Sequence, residues 1–285
     1  MSIRRKYTIV LFNFVKYRIP VIVKIYQTRM QKLDKNLVLA QANDYCPGIS
    51  LDCVILGFHE GKLKVLLNKF STYTKWMLPG GFIYKDEHVD AAATRTLASR
   101  TGLSNVYLRQ FYFFGDVSRT NLDENKDMLA RQGFAKDDKE VSKWFLQRFF
   151  SIGYYAFVEY GKVKVHSNMD EDVAWFNLSD IPSLYTDHNI IIDKAITTIR
   201  SQLNSIPVGY ELLPEKFTLT QLRTIYETIL DAKLDRRNFQ RKILSAGLVC
   251  KLSEVYKKWG QKSSILYSFD KNKYHAAIKN GIPVF

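Results

Sequence analysis

The sequence has little of what would mark a secreted, metal-stapled or membrane-spanning protein. It holds only 3 cysteines in 285 residues, Cys46, Cys53 and Cys250. They have no paired spacing and no His/Cys cluster beside them, so neither a disulfide framework nor a zinc site is indicated and a reducing cytoplasm fits best. No apolar run approaches the ~20 residues that a membrane span needs. Residues 9–15 follow Arg4-Arg5-Lys6 and resemble the start of a secretory signal, but Lys16, Arg18, Pro20 and Lys24 break the run and no small-residue cleavage site follows. Internal repeats and low-complexity tracts are also missing.

Acidic charge is scarce at both ends of the chain. Residues 1–43 carry nine Lys and Arg against one acid, and residues 206–285 carry fourteen against seven, whereas residues 44–205 are balanced at nineteen against twenty. The net charge of +14 is thus terminal, as expected of a neutral ligand-sensing module joined to a module that binds a polyanion. The plainer alternative is that basic tails aid solubility. Length and a hydrophobic content of 46% allow two packed domains. The expected division is a basic N-terminal extension over 1–43, a sensor domain over 44–205 and a nucleic-acid-binding domain over 206–285. Residues 1–29 are read as a poorly ordered extension preceding a functional start at Met30.

What is present has legible periodicity. Residues 52–58 and 62–68, separated by His59-Glu60-Gly61, predict a β-hairpin. Val89, Ala92, Ala93 and Leu97 fall at i, i+3, i+4 and i+8 before Gly102, which predicts a helix of roughly 14 residues. Strands are expected over 106–116, 144–158 and 162–166, a polar surface insertion over 118–142, and a helix near 188–203. This mixture suits an α/β/α sandwich. Residues 206–216, with Pro207, Gly209 and Pro214, read as a connector. Helices over 219–230 and 235–246, with Thr218 or Thr220 and Asp235 as N-caps, then strands over 249–252 and 265–269, have the order of a winged helix-turn-helix.

The most informative absence lies inside the first helix. Gly81, Glu87, Arg95, Leu97, Gly102 and Leu103 are in frame with a pattern of Gly, five residues, Glu, seven residues, then Arg-Glu-aliphatic-x-Glu-Glu-x-Gly-aliphatic. This stretch resembles the Nudix box. The three carboxylate positions are Thr96, Ser99 and Arg100 instead. Carboxylates at i, i+3 and i+4 share a helix face and can gather magnesium against a pyrophosphate; two hydroxyls and a guanidinium remove that negative density. No catalytic residue, metal or cofactor is therefore expected. Gly80 and Gly81 are read as permitting a tight loop, and Glu87 with Arg95 as an ion pair. A surviving cleft commonly binds a ligand, and Lys69, Trp76, Tyr84 and Arg100 are the candidate effector contacts. The alternatives stay open: the aromatics simply pack and the cations are simply solvated. Asp187-His188 is either a helix cap or a pocket contact.

In the C-terminal part, Phe239, Ile243 and Leu244 form an apolar stripe, while Arg236, Arg237, Asn238, Gln240 and Arg241 cluster in the first half of the same helix. Arg suits guanine edges and Asn or Gln adenine, so these are the candidate base readers. Lys257, Lys258 and Lys262 stand at the expected wing tip, suited to phosphates. A solvated basic helix in a dimerisation domain is the alternative. Residues 214–227, 234–239 and 266–269 resemble the C-terminal domain of Nudix-related transcription regulators, including NAD-metabolism and arabinose-responsive repressors. That resemblance covers about residues 45–275. It implies a cytoplasmic homodimer, not bound to a membrane, that binds double-stranded operator DNA under control of a small effector. A sugar such as arabinose is the first expectation, linked to carbohydrate metabolism, and an ADP-ribose-like nucleotide the second. Two other functions compete: a magnesium-dependent Nudix pyrophosphohydrolase using acids such as Asp86, Glu87 and Asp90, and a module that binds protein rather than DNA.

Overall fold

The computed structural model describes residues 43–103, 106–132, 139–163, 171–203, 208–256 and 263–280. The basic extension before residue 43 and the wing-tip residues Lys257, Lys258 and Lys262 lie outside them. The first unit is a mixed sheet made of β1 (Tyr45–His59), β2 (Lys62–Phe70), β3 (Gly80–Tyr84), β4 (Leu108–Phe114), β5 (Phe150–Val158) and β6 (Glu171–Asn177). Strand order is β4-β5-β1-β2-β6, with β3 also paired to β1. The expected hairpin is there, closed by His59 opposite Lys62, with Glu60 and Gly61 taking positive φ at the turn. β1 and β5 run parallel from Ile49 opposite Phe150 to Gly57 opposite Val158, which requires a long crossover between them.

That crossover supplies one of the two covering layers. α1 (Val89–Thr101) covers one face, where Ala92, Ala93 and Leu97 pack on Leu51, Cys53, Ile55, Leu66 and Tyr154. α4 (His188–Gln202) covers the other, where Ile191, Ile192, Ala195 and Ile199 meet Val54, Leu56, Val65 and Tyr155. Because both faces are covered, the centre of β1 is buried without a break from Leu51 to Gly57. Burial also pushes the Cys53 thiol well above its ordinary pKa, so it behaves as a small apolar side chain.

Two expectations in this unit need correcting. The insertion over 118–142 contains α2 (Leu122–Arg131) and the start of α3 (Lys139–Leu146). α2 forms because Asn121 accepts from the Glu124 amide and because Asn125 and Leu129 are buried. The strand expected over 144–158 begins only at Phe150, since Trp144 to Leu146 complete α3. The strand expected over 162–166 lies mostly outside the described residues; before it, residues 160–162 form a single 3₁₀ turn.

The second unit begins with α5 (Gly209–Leu212), inside the expected connector, and continues with α6 (Leu219–Leu230) and α7 (Arg236–Ser245). Then come β7 (Val249–Tyr256), β8 (Ser264–Phe269) and α8 (Lys271–Asn280). Thr218 caps α6 with a reciprocal box to Gln221, and Asp235 caps α7 by accepting from the Asn238 amide. α8 went unread in the sequence, although Asp270 accepts from the Lys273 amide and Tyr274 and Ala277 are buried at i, i+3 spacing.

The two units share one apolar core. It runs from Ile192, Ile199 and Leu203 through Val208, Leu212 and Phe217 to Leu222, Ile225, Tyr226 and Phe239. Arg200 on α4 donates through Nε to the Ile229 carbonyl at 2.6 Å, so a side chain of the first unit satisfies an otherwise orphaned carbonyl near the C-terminus of α6. No helix among the described residues is long and apolar enough to cross a membrane.

Candidate functional site

The loop before α1 and the helix itself are locked together by the expected ion pair. Arg95 Nε meets Glu87 Oε1 at 2.8 Å, and Arg95 Nη2 meets both Glu87 Oε2 at 2.7 Å and the Phe82 carbonyl at 2.8 Å. Burial opposes the Arg95 charge, but the Glu87 hydrogen bonds and charge outweigh it and raise the pKa. The guanidinium also lies over the Tyr84 ring at 4.6 Å, and Tyr84 stacks on Tyr45. α1 ends where Gly102 adopts φ 69°, the left-handed cap that glycine reaches without strain.

The glycine pair serves close packing rather than a tight turn. Neither Gly80 nor Gly81 has positive φ. A Cβ on Gly81 would sit 2.8 Å from Thr96 Oγ1, and one on Gly80 2.8 Å from Asp52 Oδ1 and 2.9 Å from the Leu51 carbonyl. Thr96 is accordingly buried against β3. Ser99 spends its hydroxyl on the Thr96 carbonyl of its own helix at 2.8 Å. The third position, Arg100, directs Nη1 to Glu171 Oε2 at the start of β6.

A magnesium ion of the kind a Nudix fold implies does not suit this donor set. Oxygen-rich coordination needs several carboxylates or carbonyls directed inward, and here one hydroxyl is packed away, one bonds its own helix and the third group is a cation. Among the described residues no cluster of three or more His, Cys, Asp or Glu could hold a metal.

Three of the four candidate effector contacts fall on opposite faces of the sheet: Arg100 on the α1 face with Asn68 and Glu171, and Lys69 and Trp76 on the α4 face with Asp172 and Phe176. Arg100 bonds Glu171; Lys69 pairs with Asp172 at 3.2 Å and lies over the Trp76 ring at 5.1 Å. Trp76 also packs edge-on against Phe176. Tyr84 does not join them, being held between Tyr45 and Arg95. The plain alternatives are corrected for both cations, since each is partnered rather than simply solvated.

The sequence reading missed a buried ionic knot behind the Leu78–Gly81 loop. Arg119 bonds Asp187 at 3.0 and 3.3 Å and approaches Asp52 at 3.6 Å. Ser151 donates to Asp52 Oδ2 at 2.5 Å. His188 accepts the Leu78 amide on Nδ1 at 2.8 Å, with Nε2 3.6 Å from Asp52. The Asp187 side chain is thus not a helix cap. Asp187 precedes α4 without bonding its amides, and Asp187 and His188 both anchor the loop to the base of that helix. Only the isolated Asp52 in a strand otherwise apolar could have signalled this.

In the second unit, Arg236, Arg237, Asn238 and Arg241 are all exposed and Gln240 is half-buried. Phe239 and Ile243 point inward, but Leu244 is 41% exposed and so leaves the expected apolar stripe. Arg241 donates to Asn238 Oδ1 at 2.5 Å. No ion-pair partner of Arg236 or Arg237 is found among the described residues. Beside them is a cleft of about 200 Å³ lined by Thr220, Arg223, Arg236, Gln240 and Ser264. Thr220, Arg223 and Ser264 join this face through tertiary folding that helix periodicity alone does not report.

Residues 47–197 match the NUDIX domain, and residues 209–269 match the NrtR DNA-binding winged helix domain. A curated relative from Acinetobacter baylyi, the ADPR responsive transcriptional repressor NtrR, is 26% identical over 242 residues, 82% of this chain and 87% of its own. The crystal structure of Shewanella oneidensis NrtR complexed with a 27mer DNA is similar at 25% identity with a TM-score of 0.62, covering 80% of this chain and 95% of that one. A MutT/nudix family protein from Enterococcus faecalis shares the fold at 20% identity and a TM-score of 0.55, covering 89% of this chain and 100% of that one.

Proposed function

The chain belongs to the NUDIX domain family and ends in a winged helix of the NrtR type, and from that premise we propose that it is a transcriptional repressor whose NUDIX domain senses ADP-ribose without hydrolysing it. The observation that carries the reading is the pairing of two features in one chain. One is a NUDIX helix with Thr96, Ser99 and Arg100 at its carboxylate positions; the other is a winged helix with an exposed arginine face on α7. The expectation of an arabinose-like sugar, and of a role in carbohydrate metabolism, gives way to ADP-ribose because the Acinetobacter relative is named for that nucleotide. We divide the chain after residue 205, with 44–205 as sensor and 206–285 as reader.

Operator contact is assigned to Arg236, Arg237, Asn238, Gln240 and Arg241, with Lys257, Lys258 and Lys262 at the wing on the phosphates. Effector contact is assigned to Arg100 for the pyrophosphate, whereas Lys69 and Trp76 stand on the opposite face of the sheet and serve as packing partners there. Tyr84 serves as a packing neighbour of the loop. A homodimer reading a two-fold operator is supported by the sheet edge at β4, where Tyr112 and Phe113 are about half exposed. Ligand binding acts through differential contact with two arrangements of the reader, and the shared core with the Arg200–Ile229 bond gives a physical route.

Calorimetry with ADP-ribose and L-arabinose, beside a magnesium-dependent turnover assay on a nucleotide panel, tests the sensor assignment. Saturable ADP-ribose binding with no product is expected. Arabinose binding without ADP-ribose binding, or turnover of the nucleotide, would overturn it.

A further inference from the structure

Arg100 has a setting that ion-pair formation alone does not explain. It stands on the last turn of α1, at the third carboxylate position of the box, and its Nη1 is bonded to Glu171. Asn68 on β2 reaches the other oxygen of the same carboxylate, Nδ2 to Oε1 at 2.6 Å. Two polar atoms in this cluster are fully buried with no hydrogen-bond partner among the described residues: Arg100 Nε, a donor, and Asn68 Oδ1, an acceptor. Asn68 as a whole is 2% exposed. Buried donors and acceptors are ordinarily satisfied, and an orphan of each kind flanking one carboxylate marks a place prepared for a group that accepts from one and donates to the other. A phosphate oxygen suits the first and a sugar hydroxyl the second.

The local charge is also set for such a group rather than for a metal. Arg100 is the cation that meets Glu171 on the α1 face, while Lys69 neutralises Asp172 on the opposite face of the same two strands. A NUDIX box with its carboxylates would leave the same spot negative and dependent on magnesium to meet a pyrophosphate. We infer that Arg100 is a resident cation standing in for the metal, so that a pyrophosphate is received by a guanidinium shared with Glu171 and its binding is independent of divalent ions. The ligand competes with Glu171 for the guanidinium and weakens that pair. Glu171 opens β6, which pairs with β2 through Phe70, so the competition bears on the sheet edge rather than on the helix alone.

The nucleotide half of this inference rests on the ADP-ribose reading above; the metal half does not. Two probes applied to the full-length protein separate them. With manganese alone, followed by electron paramagnetic resonance, the wild type is expected to leave the free-ion signal unchanged. Arg100→Glu, which sets a carboxylate beside Glu171 and Asn68 Oδ1, is expected to bind at least about tenfold more tightly. A folded Arg100→Glu protein with no gain, or a wild type that already binds manganese at this site, overturns the inference.

With ADP-ribose, calorimetry of the wild type is expected to give the same affinity in EDTA as in magnesium, and Arg100→Gln to weaken it about tenfold or more, as loss of a charge-assisted hydrogen bond predicts. Unchanged affinity in Arg100→Gln with a lowered Tm would make the pair merely structural and overturn the inference, as would binding by the wild type only in magnesium. Should the wild type bind no ADP-ribose under any condition, the effector reading fails and the manganese result alone decides this one. If Arg100→Glu does not fold, the EDTA and Arg100→Gln comparison decides it.

Discussion

Arginine is used in opposite ways by the two units. In the NUDIX unit, Arg95, Arg100 and Arg119 are each held by carboxylates, with side-chain exposures of 24%, 21% and 7%. In the winged helix, Arg236 and Arg237 are exposed and have no ion-pair partner among the described residues. The difference teaches how one residue type is assigned to structure or to recognition. A guanidinium already bonded to a carboxylate in low dielectric is committed to position, whereas a solvated one on a capped helix keeps its fork of donors for a partner from outside. Over residues 44–205 nineteen Lys and Arg nearly balance twenty acids, whereas residues 206–285 carry fourteen against seven.

The buried side of that contrast should break most severely. Arg119→Met leaves Asp52 and Asp187 facing each other without their cation, and removing one partner of a buried pair costs ~3–5 kcal/mol. A drop of that size in chemical-denaturation stability is expected, and a change below about 1 kcal/mol would show that the knot is solvated. On the exposed side the effect should fall on binding alone. Arg236→Ala with Arg237→Ala is expected to weaken operator affinity about a hundredfold, at ~1–3 kcal/mol per base contact, while leaving Tm unchanged. An anisotropy titration showing equal affinity would return these arginines to the solvated-helix alternative.

Smaller effects sharpen the boundary between the units. Thr218→Ala removes the capping box of α6 and should cost ~1 kcal/mol, read as lost stability with the NUDIX fold intact. At the seam, burial pushes the Glu211 carboxyl up to about 7, with Lys162 opposing. A folded value above the ordinary 4.5 means that the native state holds the proton longer than the unfolded chain. Stability should therefore fall as pH rises from about 4.5 to 7, and that slope should diminish in Glu211→Gln. Identical pH profiles for the two proteins would refute the assignment.

Elements with their own periodicity were legible in the sequence. The β1–β2 hairpin, α1, α4, α6 and α7 could be read because their apolar residues recur at 2 or 3.6 and their caps, Gly102, Thr218 and Asp235, are local. The erosion of the box was legible for the same reason, as a frame with three letters changed. Elements and contacts that depend on distant partners were not. α2 looks polar until Asn125 accepts from Tyr185 in the loop before α4, α8 depends on Tyr274 stacking on Tyr210, and the Arg119 knot joins positions 52, 119, 151, 187 and 188. The glycine pair was located correctly and explained wrongly, because the need for Gly81 comes from Thr96 across the fold and not from its own backbone.

The central claim, a DNA reader governed by a non-hydrolysing ADP-ribose sensor, is tested most directly by fluorescence anisotropy of the full-length protein on labelled duplex from its own upstream region, titrated first with salt and then with ADP-ribose. The account predicts sequence-selective binding that weakens steeply with salt and is released by ADP-ribose that is recovered intact. Binding no tighter than to random duplex, or selective binding that ADP-ribose leaves unchanged, would contradict it.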